Sequence, residues 1–156
     1  MDAIKWNGDS VTLLDQRLLP LKEVYNTYTN YSDIAAAITN METRGAPAIG
    51  IAAGMGIALA AQGIGTGDIV KFRDEMSRIF GIFAATRPTA VNLFWTIDRM
   101  KKITHELTDV KQLKETLKKE AVRIHEEDIA ANRQMGKNGS RFLNDGDIVM
   151  THCNAG

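Results

Sequence analysis

Apolar residues recur along most of this chain at helical spacing, and the exceptions stand near its two ends. The opening "AIKWNGDSVTLLDQ" alternates apolar and polar positions on both sides of Asn7-Gly8, a dipeptide suited to the positive φ angles of a tight turn, and so predicts a small β-hairpin. Tyr25, Tyr28 and Tyr31 with Val24 predict a further short strand, after which Ser32-Asp33 reads as the start of a helix over "IAAAITNME" that ends near Met41. A second helix is predicted from Pro47, at its first position, to about Ala61, with Gly50 and Gly54 placed four apart so that a neighbouring element can approach closely. In "GDIVKFRDEMSRIFGIFAAT" the apolar positions Ile69, Phe72, Met76, Ile79, Phe80 and Phe83 give a third. The fourth follows Arg87-Pro88 with Thr89 as cap, and carries Val91, Leu93, Phe94, Ile97 and Met100. A fifth, from about Val110 to Met135, sets Leu113, Leu117, Ala121 and Ile124 on one face and a Glu115/Lys119 pair on the other.

Asn138-Gly139-Ser140 and Asn144-Asp145-Gly146 then mark a change of character. "DIVMT" is a short apolar run after a turn, the pattern of a buried parallel strand, and "HCNAG" follows where such a strand passes into a loop. The predicted class is α+β, mainly α. Residues 1–140 form a β-hairpin plus helical domain, and residues 145–156 begin a different, α/β domain. A lone strand buries nothing, so the expectation is a fragment whose second domain is missing, separated or supplied as another chain.

Composition narrows the function. Nineteen basic residues balance nineteen acidic ones, so no net field draws nucleic acid or an anionic membrane, and small or neutral partners are expected. The lysines Lys111, Lys114, Lys118 and Lys119 are interleaved with acids, as on a solvated helix face. One cysteine makes neither an internal disulfide nor a multi-cysteine zinc site, and His105, His125 and His152 lack ligand spacing, so no metal is expected and a reducing, cytoplasmic setting is. The N-terminus has no secretory pattern. Ala46 to Gly67 holds no charge, but its Ala and Gly content and the break at Gln62-Gly63 predict a buried core helix instead of a membrane span.

Three polar clusters bear chemistry. In Arg44-Gly45-Ala46-Pro47-Ala48, Gly45 permits a tight turn, Ala46 keeps the approach open, and the following helix start offers N–H groups and a positive dipole end to an anion, beside the planar fork of Arg44. Thr86-Arg87-Pro88-Thr89-Ala90-Val91-Asn92 repeats the arrangement. Each alone is equally consistent with a turn and a solvated arginine; together they suit a phosphate dianion. The third, His152-Cys153-Asn154-Ala155-Gly156, stands where open α/β sheets place ligands, although a lone cysteine is also a common inert core residue.

Taken in order, "LLDQRLLP", "TRGAPAIGIAAG", "TRPTAVNL" and "HCNAG" resemble the methylthioribose-1-phosphate isomerases of methionine salvage, over essentially the whole chain. That family is related to the regulatory α, β and δ subunits of the translation-initiation guanine-nucleotide exchange factor and to ribose-1,5-bisphosphate isomerases. The resemblance implies a helical N-terminal domain, a Rossmann-like C-terminal domain whose first strand and catalytic loop are residues 145–156, and a homodimer of the full-length protein. It implies an aldose–ketose isomerase, an intramolecular oxidoreductase without cofactor, that converts 5-methylthioribose 1-phosphate to 5-methylthioribulose 1-phosphate. Arg44, Gly45 and Ala46 match a substrate-binding motif, Arg87 matches a substrate-binding arginine, and Cys153 matches the catalytic cysteine. The family's aspartate proton donor lies further along than these residues reach, so the chain alone is expected to be inactive, with a separate C-terminal segment as a conceivable partner. The alternatives are a non-catalytic interaction module like the exchange-factor subunits, or a ribose-1,5-bisphosphate isomerase.

Overall fold

A computed structural model describes residues 2–151, and the cluster His152 to Gly156, with Cys153, lies outside the described residues. The opening alternation becomes three strands: β1 (Ile4–Trp6), β2 (Val11–Leu14) and β3 (Tyr25–Tyr28) form one antiparallel sheet in the order β1-β2-β3. Asn7 N–H bonds the Ser10 carbonyl at 2.9 Å and Gly8 takes φ +100°, so the turn sits where the Asn-Gly signal placed it. Register pairs Ile4 with Leu13 and Val11 with Tyr28, which puts Ile4, Val11 and Leu13 on the buried face.

Five helices follow: α1 (Tyr31–Thr39), α2 (Ala46–Gly63), α3 (Ile69–Thr86), α4 (Val91–Glu106) and α5 (Val110–Ser140). Every residue from Ile49 to Ala61 of α2 is buried, because α1, α3, α4, α5 and the sheet surround it. A helix apolar on all sides needs such a position. It has the length and hydropathy to cross a membrane, yet here it is the axis of the core. Small residues allow that packing. A Cβ on Gly56 would lie 2.4 Å from Cζ of the fully buried Phe83, and one on Gly50 would lie 2.8 Å from the Asn92 carbonyl oxygen.

Several boundaries differ from the sequence expectation. Asn30, ahead of Ser32, caps α1, its side chain accepting the Ser32 N–H at 2.9 Å. Thr89 does not cap α4: Ala90 N–H closes a turn on the Arg87 carbonyl at 3.0 Å, so Ala90 becomes the capping residue. Pro47 follows Ala46 into α2. Helix α5 runs through Gly136 and Gly139 to Ser140, with every residue from Ala130 onward exposed. Residues 147–151 form no strand: Ile148 is fully exposed and the run pairs with no described strand.

Candidate functional site: two arginine loops at the starts of α2 and α4

The contact between Gly50 and Asn92 brings the first turns of α2 and α4 together, and with them the loops that carry Arg44 and Arg87. Thr96, one turn further into α4, lies against both Gly50 and Gly54. Gly45 takes φ +102° as the residue preceding α2, a conformation that disfavours any side chain. This gives a physical reason for the glycine in Arg44-Gly45-Ala46.

These two helices differ from the other three in how they begin. Asn30, Asp68 and Asp109 cap α1, α3 and α5 with their side chains, whereas α2 and α4 start at Gly45 and Ala90 without a side-chain cap. Their starts therefore keep more capacity for an external acceptor. Polar atoms nearby are in the same condition. Among the described residues, Arg44 Nε, Arg87 Nη1, Thr43 Oγ1 and Thr96 Oγ1 are buried without a hydrogen-bond partner. A buried charged donor left unpaired costs more than the ~1–3 kcal/mol of a neutral one, so these atoms mark where an anion or hydroxyl would be stabilised.

A cleft of about 390 Å³ adjoins the two helix starts. Pro47, Gly50 and Ile51 form one wall, Val91, Asn92, Trp95 and Thr96 a second, and Ile124, Glu127 and Asp128 of α5 a third. Arg44 and Arg87 stand just before the helix turns that line it. Glu127 is held charged: the Arg99 guanidinium bonds it at 2.6 Å and lowers its pKa against the opposing effect of burial, and Arg123 adds a bond at 2.7 Å. Arg99 also lies 5.1 Å from the centre of the Trp95 ring and pairs with Glu120. Glu127 is thus paired with two cations, while Asp128 on the same wall accepts only from the Asn132 amide among the described residues, and the cleft sets an apolar surface and one unpaired carboxylate after the two arginine loops.

Arg44 is held on one edge only, with Nη2 donating to the Gln16 carbonyl at 3.0 Å. Arg87 has no described partner for its guanidinium, and its loop is closed by the Thr86 hydroxyl on the Phe83 carbonyl at 2.6 Å. The structure thus brings together the helix starts that follow Arg44, Gly45 and Ala46 on one side and Arg87 on the other, and it does not describe Cys153. Sequence reasoning missed Thr96 and the buried acids Asp15 and Glu42; the signals available were a threonine one helical turn after Asn92 and an acid two residues before each of Arg17 and Arg44.

No described group of His, Cys, Asp and Glu side chains has metal-binding geometry. Over 156 residues the chain is 46% identical to the methylthioribose-1-phosphate isomerase of Geotalea uraniireducens (strain Rf4), covering 99% of this chain and 45% of that protein. It is 45% identical to the enzyme of the same name from Petrotoga mobilis, with the same coverage. The crystal structure of 5-methylthioribose 1-phosphate isomerase from Pyrococcus horikoshii OT3 matches with a TM-score of 0.89 and 38% identity, over 92% of this chain and 41% of that one. Translation initiation factor eIF-2B subunit delta from A. fulgidus matches with a TM-score of 0.88 and 39% identity, over 100% and 46%. The chain spans under half the length of the curated relatives it matches. With residues 42–156 matching the family model and the fold shared throughout, this chain belongs to the initiation factor 2 subunit family.

Proposed function

We propose that this chain is the N-terminal part of a cytoplasmic, homodimeric methylthioribose-1-phosphate isomerase, and that Arg44 and Arg87 hold the substrate phosphate. One observation carries the reading: two arginines, each with a buried, unpartnered nitrogen, stand before the only two described helices that start without a side-chain cap, and those starts adjoin. Phosphate supplies the missing acceptors. Residues 1–140 then form the domain that grips the phosphate, and residues 145–156 open the Rossmann-like domain that completes the site.

The substrate is phosphorylated on its anomeric oxygen, so no free aldehyde is at hand. Ring opening breaks the C1–O4 bond with the phosphate attached. One hydrogen moves from C2 to C1, the O2 proton leaves, and O4 gains one; the product carries its carbonyl at C2 and its phosphate on a C1 methylene. Fixing the phosphate fixes C1 and C2 for that transfer, and an apolar wall such as the cleft beside α2 and α4 keeps water from the intermediate. Cys153, whose role rests on the resemblance alone, would shuttle a proton or stabilise charge as it develops at C1 and C2.

The test is kinetic. In the full-length protein, Arg44→Ala and Arg87→Ala each raise the substrate KM about tenfold or more, and Cys153→Ser lowers kcat strongly with phosphate affinity largely kept. Unchanged kinetics in folded arginine variants would sink the phosphate assignment. The 39% identity to an eIF-2B delta subunit over the entire chain favours one second reading, a protein-binding module without cysteine chemistry. That reading expects no isomerase activity in the full-length protein and no effect of Cys153→Ser on partner binding.

A further inference from the structure

The motif "LLDQRLLP" has no role in the reading above, although its Gln16 holds Arg44. Gln16 lies between the two: its N–H donates to the Glu42 carbonyl at 2.9 Å, and its carbonyl accepts from Arg44 Nη2 at 3.0 Å. The Glu42 carboxylate is only 4% exposed. Its Oε1 accepts from the Tyr28 hydroxyl at 2.7 Å and from Asn26 Nδ2 at 3.0 Å, and its Oε2 from Arg17 Nη2 at 3.3 Å. Arg17 is clamped in turn on Asp15, Nε to Oδ1 at 2.8 Å and Nη2 to Oδ2 at 2.7 Å, and Asp15 N–H bonds the Val24 carbonyl at 2.8 Å.

We propose that Glu42 is a positioning residue: its buried carboxylate fastens the loop between α1 and α2 to the end of the sheet and thereby aims the Arg44 guanidinium at the anion. The proposal rests on Arg44 as a phosphate ligand. A buried carboxylate is a poor device for stability alone, since desolvation offsets most of what its partners return. Here it fixes geometry. The loop it holds contains φ +60° at Met41, a left-handed conformation that a non-glycine residue keeps only where the surroundings determine it. The consequence reaches Arg44 through Gln16: with Nη2 occupied by the Gln16 carbonyl, the Nε edge is left buried and open for an acceptor. Preorganising that edge removes the ordering cost from binding.

Glu42→Gln tests this. The amide keeps the shape, but with its oxygen accepting from Tyr28 and Asn26 it sets an NH2 group against Arg17, and with its oxygen towards Arg17 it sets the NH2 group against those two donors. In the 15N-labelled chain, the Arg44 Nε–Hε resonance, assigned by its loss in Arg44→Lys, shifts or broadens in Glu42→Gln while the amide spectrum beyond the loop is retained. In the full-length protein, Glu42→Gln raises the substrate KM roughly five- to tenfold with kcat within about twofold, the signature of lost uniform binding. Adding it to Arg44→Ala raises KM no further, because both act through one side chain. An unmoved resonance, or KM effects that multiply in the double variant, overturns the proposal. If Arg44→Ala leaves KM unchanged, the phosphate reading fails while the resonance still decides the positioning. Should Glu42→Gln not fold, Tyr28→Phe, which removes one hydroxyl from Oε1, takes its place in the same measurements with a smaller effect.

Discussion

The loop ahead of α2 and the loop ahead of α4 each present an arginine before an uncapped helix, but they are supported in opposite ways. Arg44 is tethered through Gln16 to a network of buried acids that spans β2, β3 and the end of α1. Arg87 is tethered only through its backbone, in a tight turn that Ala90 N–H closes. The Arg44 guanidinium is held by a side-chain hydrogen bond, whereas Arg87 Nη1 is buried without one. The difference teaches that two motifs of the same local form are supported differently, the first by a side-chain network and the second by its backbone turn.

Lysine substitutions should break the symmetry most visibly. Arg44→Lys cannot hold the Gln16 carbonyl and also offer a planar second edge, so it behaves like Arg44→Ala, with a KM increase of tenfold or more, about 1.5–3 kcal/mol. Arg87→Lys retains an adaptable charge and recovers most of the affinity lost in Arg87→Ala. Equal rescue at both sites in steady-state kinetics would remove the distinction. Next in size is Gly50→Ala, which forces a Cβ against the Asn92 backbone and separates the two helix starts. It should destabilise by about 1–3 kcal/mol in chemical denaturation and also weaken substrate binding. Gly81→Ala is the control, since nothing lies within 4 Å of that Cβ; it should stabilise by about 0.5–1 kcal/mol without changing kinetics.

The network behind Arg44 has a pH signature. Tyr28 is pushed up to about 12 from its ordinary 10.0, first by burial and then by its hydrogen bond to Glu42. Its folded form therefore holds a proton that the unfolded chain releases, and this contribution, present in full below pH 10, is lost as pH rises towards about 12. Tyr28→Phe should flatten the decline over that window. Asp15 moves the other way: the Arg17 guanidinium bonded to it holds its pKa below the ordinary 3.8 despite burial. Its contribution is present above that value and is lost as pH falls through the lower folded pKa. Asp15→Asn should thus flatten the acid limb of the stability curve. If either variant retains the wild-type slope in urea melts across its window, the network does not titrate as a unit with the fold.

Most of the architecture is legible in the chain because its causes are local. Helical spacing at Phe72, Met76, Ile79 and Phe83, and alternation around Asn7-Gly8, act within a few residues and survive into the fold with boundaries moved by one to five positions. The arginines too are readable, as cations beside a glycine and a proline. The exceptions share a cause. "DIVMT" has the composition of a strand, but a strand exists only through hydrogen bonds to a neighbouring strand, and residues 147–151 pair with none of the described strands. Thr89 has a capping side chain, yet the turn at Arg87 starts the helix one residue later.

By itself, then, the sequence determined which segments coil, which alternate, and which residue types could meet an anion, since each depends on side chains a turn or a strand pair apart. Only the tertiary structure decided that Gly50 lets α4 approach α2, and that Glu42 meets partners 14 to 25 positions away at Tyr28, Asn26 and Arg17. It also decided that the Arg44 guanidinium bonds the Gln16 carbonyl while Arg87 Nη1 is buried without a partner. Burial and the pairing of a carboxylate are properties of what surrounds a residue in space, and a linear pattern does not contain them.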